Sequence, residues 1–129
     1  IGIHAVKPGG RIIDIGSAIL KFARKHRLSV VQEFQGHGLG TEFHQEPAIP
    51  HYPEVSSFHT VIKPGMCFTV EPMLNLGKRH GVLNKKDGWT VRTADGHRSA
   101  QFEHTICINE DGPEVMTTTK DGPQEGREF

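Results

Sequence analysis

No sign of charge dominates this sequence: Lys plus Arg and Asp plus Glu number 15 each, for a formal net charge of zero at pH 7. That balance excludes an electrostatic nucleic-acid binder, which carries a basic excess, and a polybasic membrane-surface protein. Long apolar runs are missing as well. None approaches the roughly 20 residues that span a bilayer, and nothing near Ile1 reads as a secretion signal, so a cytoplasmic location without membrane contact is expected. Cysteine is scarce, with two in 129 residues, which excludes a disulfide scaffold. Histidine, by contrast, is abundant at nine. Hydrophobic residues at 35% and charged residues at 23% allow a modest core, and the length suits one domain.

The chain opens Ile1-Gly2-Ile3-His4, without an initiator Met and on apolar residues of the kind that pack, so a partial chain is expected. Lys7-Pro8-Gly9-Gly10 is a turn. Ile15, Ala18, Ile19, Phe22 and Ala23 then recur on one helical face, Asp14 stands where a cap is needed, and Lys21 to Arg27 bring positive charge to the last turns. The pattern predicts a helix over 13–26. Strands are expected over 28–34, 66–70, 89–93 and 100–108, and a hairpin turn at 110–113 leads into a fifth over 114–118. The Pro- and His-containing stretch 41–59 lacks periodicity and reads as a long ordered loop or a bent edge, and the polar 118–129 as a disordered tail. The fold class is α+β, with a mostly antiparallel sheet.

Two of these strands carry the chemistry. Cys67, Thr69 and Glu71 share one face of the first, and Glu103, Thr105 and Cys107 one face of the second. In an antiparallel pairing with Glu71 opposite Glu103, one register also sets Thr69 against Thr105 and Cys67 against Cys107. Facing carboxylates repel and call for a proton or a cation between them; the plain alternative is two unrelated strand-end glutamates in water. His37 lies in Gly36-His37-Gly38-Leu39-Gly40, where small neighbours leave its imidazole unobstructed as a metal ligand, or simply form a glycine turn. The spacing matches neither a dinucleotide fingerprint nor a P-loop. His44 either sits beside the same cavity or is solvated, while His4, His26, His51, His59, His80 and His97 read as surface residues. One imidazole with two carboxylates suits Mn, Fe, Co or Zn and lacks the thiolates of a structural zinc site; Cys67 and Cys107 read as buried thiols. The residues alone point to a metal-assisted hydrolase.

Five motifs follow one another in order: Gly36-His37-Gly38-Leu39-Gly40, Phe43-His44-Gln45-Glu46-Pro47, Pro64-Gly65-Met66 with Phe68-Thr69-Val70-Glu71-Pro72-Met73, Asp87-Gly88-Trp89-Thr90-Val91, and Ser99-Ala100-Gln101-Phe102-Glu103-His104-Thr105. Together they resemble type I methionine aminopeptidases, of the pita-bread metalloenzyme family, from about Ile3 to Thr117. Pita-bread enzymes that cleave before proline share the His and Glu motifs but not usually the stretch from Gly88-Trp89-Thr90-Val91 to Glu103-His104-Thr105.

The resemblance implies two similar αβ halves around an antiparallel sheet, of which residues 1–117 are the C-terminal portion, followed by the tail 118–129. It implies a pair of divalent metal ions held by two aspartates, a histidine and two glutamates, of which His37, Glu71 and Glu103 are here. His44 falls on the histidine that hydrogen-bonds the scissile amide, Glu71 on the proton shuttle, and Phe43 and Trp89 on the methionine pocket, with Met73 nearby. The implied substrates are nascent polypeptides with an N-terminal Met, and the ribosome is a possible docking partner. Both aspartates would come from an N-terminal half that precedes Ile1, so weak metal binding and little peptidase activity are expected of the 129 residues alone. The alternative from another class is a non-catalytic pita-bread-like module that binds peptides or ribosomes. Such relatives typically lose their metal residues, and His37, His44, Glu71 and Glu103 are all present.

Overall fold

The computed structural model describes residues 1–122. Helix α1 (Ile12–Lys25) precedes ten short strands: β1 (Ser29–Val30), β2 (Gly36–Leu39), β3 (Gln45–Ile49), β4 (Cys67–Val70), β5 (Met73–Asn75), β6 (Gly81–Leu83), β7 (Val91–Thr93), β8 (Ser99–Gln101), β9 (His104–Asn109) and β10 (Gly112–Val115). Asp14 caps the helix from within its first turn, its Oδ2 accepting the Arg11 backbone N–H at 2.9 Å. After α1 the chain reverses through Arg27 at φ 56°. Every strand pairing is antiparallel: a five-stranded sheet in the order β10-β9-β4-β2-β3, a three-stranded sheet β1-β5-β8, and the hairpin β6-β7.

One face of the five-stranded sheet is covered. Phe68 and Val70 of β4 and Ile106 and Ile108 of β9 form a single buried cluster with Ile12, Ile15, Ile19 and Ala23 of α1. The alternate residues Cys67, Thr69, Thr105 and Cys107 point to the other face. This layering accounts for one correction. Cys67 and Cys107 are half-buried rather than buried, because the helix protects only the opposite side of their strands.

The pairing of β4 with β9 has the expected register, Cys67 opposite Cys107 and Thr69 opposite Thr105. Beyond Glu71-Pro72 the same register resumes between β5 and β8, with Met73 opposite Gln101 and Asn75 opposite Ser99. The strand expected over 100–108 is therefore two strands in two sheets, interrupted at Phe102-Glu103. Pro72 explains the break, since it has no N–H to donate to the ladder. A single ribbon thus bends where Glu71 and Glu103 stand.

Other boundaries differ for local reasons. The helix begins one residue earlier than expected. The strand expected over 28–34 is reduced to β1, which meets the short β5 over only two residues. The stretch 41–59, expected as a loop or a bent edge, holds the edge strand β3 and a 3₁₀ segment, Val55–His59; Pro47 is tolerated in β3 because that strand is the sheet edge. The strand expected over 89–93 is the shorter β7, paired with β6, and the hairpin strand is β10. The tail expected over 118–129 begins with a Gly122 N–H donated to the Thr119 carbonyl at 3.4 Å, and its remainder lies outside the described residues. Among the described residues no helix is long and apolar enough to cross a membrane.

Among the described residues Phe68 is the largest fully buried side chain, with no exposed surface. Phe68→Ala is expected to destabilise the fold by about 3–5 kcal/mol, measured by urea denaturation.

Candidate metal centre

Extending the ribbon's register from both sides places Glu71 opposite Glu103. Backbone partners show which rungs of the ribbon are narrow. The Thr105 N–H and C=O both turn away from β4, to the Thr117 Oγ1 and the Met116 N–H. The Glu71 N–H likewise turns away from Glu103 and donates to His51 Nε2 at 3.0 Å. Thr69–Thr105 and Glu71–Glu103 are therefore non-hydrogen-bonded rungs, on which facing side chains come closest.

His37 reaches the same point from β2. It is held in a strand, not the glycine turn that the sequence left open. The flanking glycines serve close approach between strands: a Cβ at Gly36 would run into the Thr69 carbonyl, and one at Gly38 into the Glu46 carbonyl. Three ligand atoms, one each from His37, Glu71 and Glu103, lie within 4.8 Å of one another. The His37 Nδ1 lies 3.1 Å from the Gly38 carbonyl, which can only accept, so Nδ1 carries the proton and Nε2 is bare. That Nε2 is 3.7 Å from Glu71 Oε1.

Thr69 ties these groups together. Its hydroxyl accepts the His37 backbone N–H at 3.0 Å and donates to Glu71 Oε1 at 2.8 Å. The second oxygen of Glu71 accepts from Gln101 Nε2 at 3.2 Å. Burial pushes the Glu71 carboxyl above its ordinary range and the Glu103 charge adds to this, while the bond from Thr69 and the nearby His37 and His44 oppose it. The arrangement of one bare imidazole nitrogen and two mutually repelling carboxylates fits a hard divalent cation, which would remove the repulsion.

His44 packs on the centre, its ring centroid 4.2 Å from that of His37 and 4.6 Å from that of Phe43. His37, Phe43, His44, Glu71, Met73, Trp89 and Glu103 all line one open cleft of about 1440 Å³. Phe43 and Trp89 are exposed and Met73 is half-buried. The seven residues given site roles in the sequence thus line one cleft.

His51 is a correction. It was expected at the surface, yet it is 1% exposed. Burial holds its pKa down at about 4, and as the acceptor for the Glu71 N–H its Nε2 must be unprotonated. Its position between Pro50 and Pro53 reads as surface loop by composition; the same prolines stiffen the segment that delivers the ring. Thr69 and Gln101 also stand inside the quoted motifs, but nothing in their spacing marks them as supports of Glu71.

The metallopeptidase family M24 matches residues 1–110. The chain belongs to that family. This M24 chain is 50% identical to methionine aminopeptidase of Salmonella typhimurium over 121 residues, which is 94% of this chain and 45% of the relative. It is 52% identical to methionine aminopeptidase A of Synechocystis sp. over 117 residues, covering 91% of this chain and 46% of the relative. The crystal structure of methionine aminopeptidase from Rickettsia prowazekii superposes with a TM-score of 0.84 at 49% identity, covering 91% of this chain and 47% of that one. Prolidase from Pyrococcus furiosus is less similar, at a TM-score of 0.60 and 25% identity, covering 92% of this chain and 29% of that one. The α+β pita-bread architecture is shared with these structures. The chain spans about half the length of the curated relatives it matches.

Two outcomes follow from the site's electrostatics. His51 is neutral in the fold with a pKa near 4 against 6.5 for the free residue, so its contribution is fully present above pH 6.5 and is lost as pH falls towards 4. By linkage the loss amounts to about 3 kcal/mol, and urea denaturation from pH 7 to pH 4 should show that slope reduced in His51→Leu. Glu103→Gln removes a charge that raises the Glu71 carboxyl, so carbon NMR in metal-free buffer should show Glu71 titrating at lower pH.

Proposed function

We propose that this chain supplies the His37, Glu71 and Glu103 part of a metal-dependent methionine aminopeptidase site, which removes N-terminal Met from nascent polypeptides in the cytoplasm. The observation that carries the reading is the convergence of those three side chains within 4.8 Å, beside His44 and in a cleft with Met73, Phe43 and Trp89. The identity to methionine aminopeptidases supports it. Retention of all four polar site residues favours an enzyme over a peptide- or ribosome-binding module.

The residues divide the work. His37 presents Nε2 while the Gly38 carbonyl fixes its tautomer, and Glu71 and Glu103 present the oxygens. When bound, divalent metal supplies Lewis-acid polarisation of the scissile carbonyl and acidifies the attacking water. Glu71, oriented by the bonds from Thr69 and Gln101, is the group placed to carry a proton from the attacking water towards the leaving amine. His44, facing the cleft, donates a hydrogen bond to the substrate amide and stabilises charge as the carbonyl becomes tetrahedral. Phe43, Met73 and Trp89 surround the thioether side chain with apolar and polarisable surface. The complete centre takes two metal ions, and two aspartates from an N-terminal half of the same fold complete it.

Titration of the chain with Co2+, followed by visible absorption, is expected to show weak binding that His37→Ala and Glu103→Gln each reduce by at least roughly 10-fold, the lower end of what even outer-shell losses cause. Met-Ala-Ser hydrolysis by the 129 residues alone is expected to be slight. Reading the coding DNA upstream of Ile1 should give an Asp pair about ten residues apart, and the polypeptide so defined should cleave Met-Ala-Ser in a metal-dependent way. Metal binding unchanged by both substitutions, or a metal-independent peptidase, would sink the proposal.

A further inference from the structure

The ribbon that brings two carboxylates together brings two thiols together by the same geometry. Cys67 is the register partner of Cys107, two positions along from Thr69 and Thr105, so it too lies on a non-hydrogen-bonded rung. The adjoining rung is the bonded kind: the Ile108 N–H donates to the Met66 carbonyl at 2.8 Å. On such a narrow rung the Cα atoms lie about 4.5 Å apart, within the range of about 4.4–6.8 Å that a disulfide spans. Both residues are free thiols and half-buried, on the face of the sheet that α1 does not cover. Neither belongs to the metal centre, from which Thr69 and Thr105 separate them.

We propose that Cys67 and Cys107 form a dithiol site that hydrogen peroxide converts to a cross-strand disulfide. One thiolate attacks the peroxide oxygen, breaking the O–O bond and becoming a sulfenic acid as the other oxygen leaves as water. The second thiolate then attacks the sulfenic sulfur, forming the S–S bond and expelling the hydroxyl as a second water. Two thiols are oxidised by two electrons and one peroxide is reduced. The register is already that of the product, so the strands need not slide, and the closed loop restricts the unfolded chain more than the folded one.

The test treats the full reduced chain with hydrogen peroxide and reads intact mass, free thiols and the urea midpoint. The expected product is a monomer lighter by two hydrogens, with no free thiol, reversed by dithiothreitol and with a raised urea midpoint. Cys67→Ser and Cys107→Ser, each isosteric enough to keep the sheet, should instead gain oxygen or trap dimedone, with no rise in midpoint. Wild-type protein that gains oxygen, forms intermolecular dimers, or closes the bond with a lowered midpoint would overturn the proposal.

Discussion

The pairing of 67–75 with 99–107 in one antiparallel register is the constraint on which the rest depends. It sets Phe68, Val70 and Ile106 beneath α1 and, by alternation, sets the polar residues on the opposite face. It also fixes which rungs are narrow. A shift by one residue would turn Glu71 into the core and Phe68 towards the cleft, so burial of the apolar face and assembly of the acidic pair are the same event. Thr69, 1% exposed, adds the cross-link: its one hydroxyl joins the His37 backbone to the Glu71 carboxylate. A hydroxyl can accept and donate at once, which no apolar residue of similar size could do.

Pro72 gives the ribbon its second property. Without its N–H the ladder lapses for one step, and the two strands pass from the five-stranded sheet to the three-stranded one. Glu71 and Glu103 sit at that bend, so their carboxylates project into open space rather than over a continuous pleat. The Glu71 N–H, which faces away from that ladder, donates to the buried His51. The support of Glu71 thus comes from three directions: Thr69 on its own strand, Gln101 on the opposing strand, and His51 from the connection after β3.

Much of this was legible in the sequence because period-two alternation survives in a short strand. The face shared by Cys67, Thr69 and Glu71, and its register with Glu103, Thr105 and Cys107, could be written down from spacing alone. So could the helix, whose apolar stripe is regular. What could not be read were interruptions set by single backbone groups. Pro72 breaks a strand that lies across from it, so residues 100–108 looked continuous. The glycines about His37 suggested a turn, whereas they admit neighbouring carbonyls to a strand. His51 was missed because its partner is a backbone N–H, which leaves no trace in side-chain pattern.

The chain contains a single tryptophan, and it stands 86% exposed on the lining of the cleft. Its backbone N–H is fastened to Asp87 Oδ1 at 2.9 Å, in an Asx turn that also takes the Thr90 N–H and hydroxyl. The indole fluorescence of the whole molecule therefore originates at the mouth of one cavity, from a chromophore whose loop is pinned while its ring is in water. Anything that enters beside it changes the solvent that the excited state senses, and emission wavelength becomes an unlabelled gauge of occupancy.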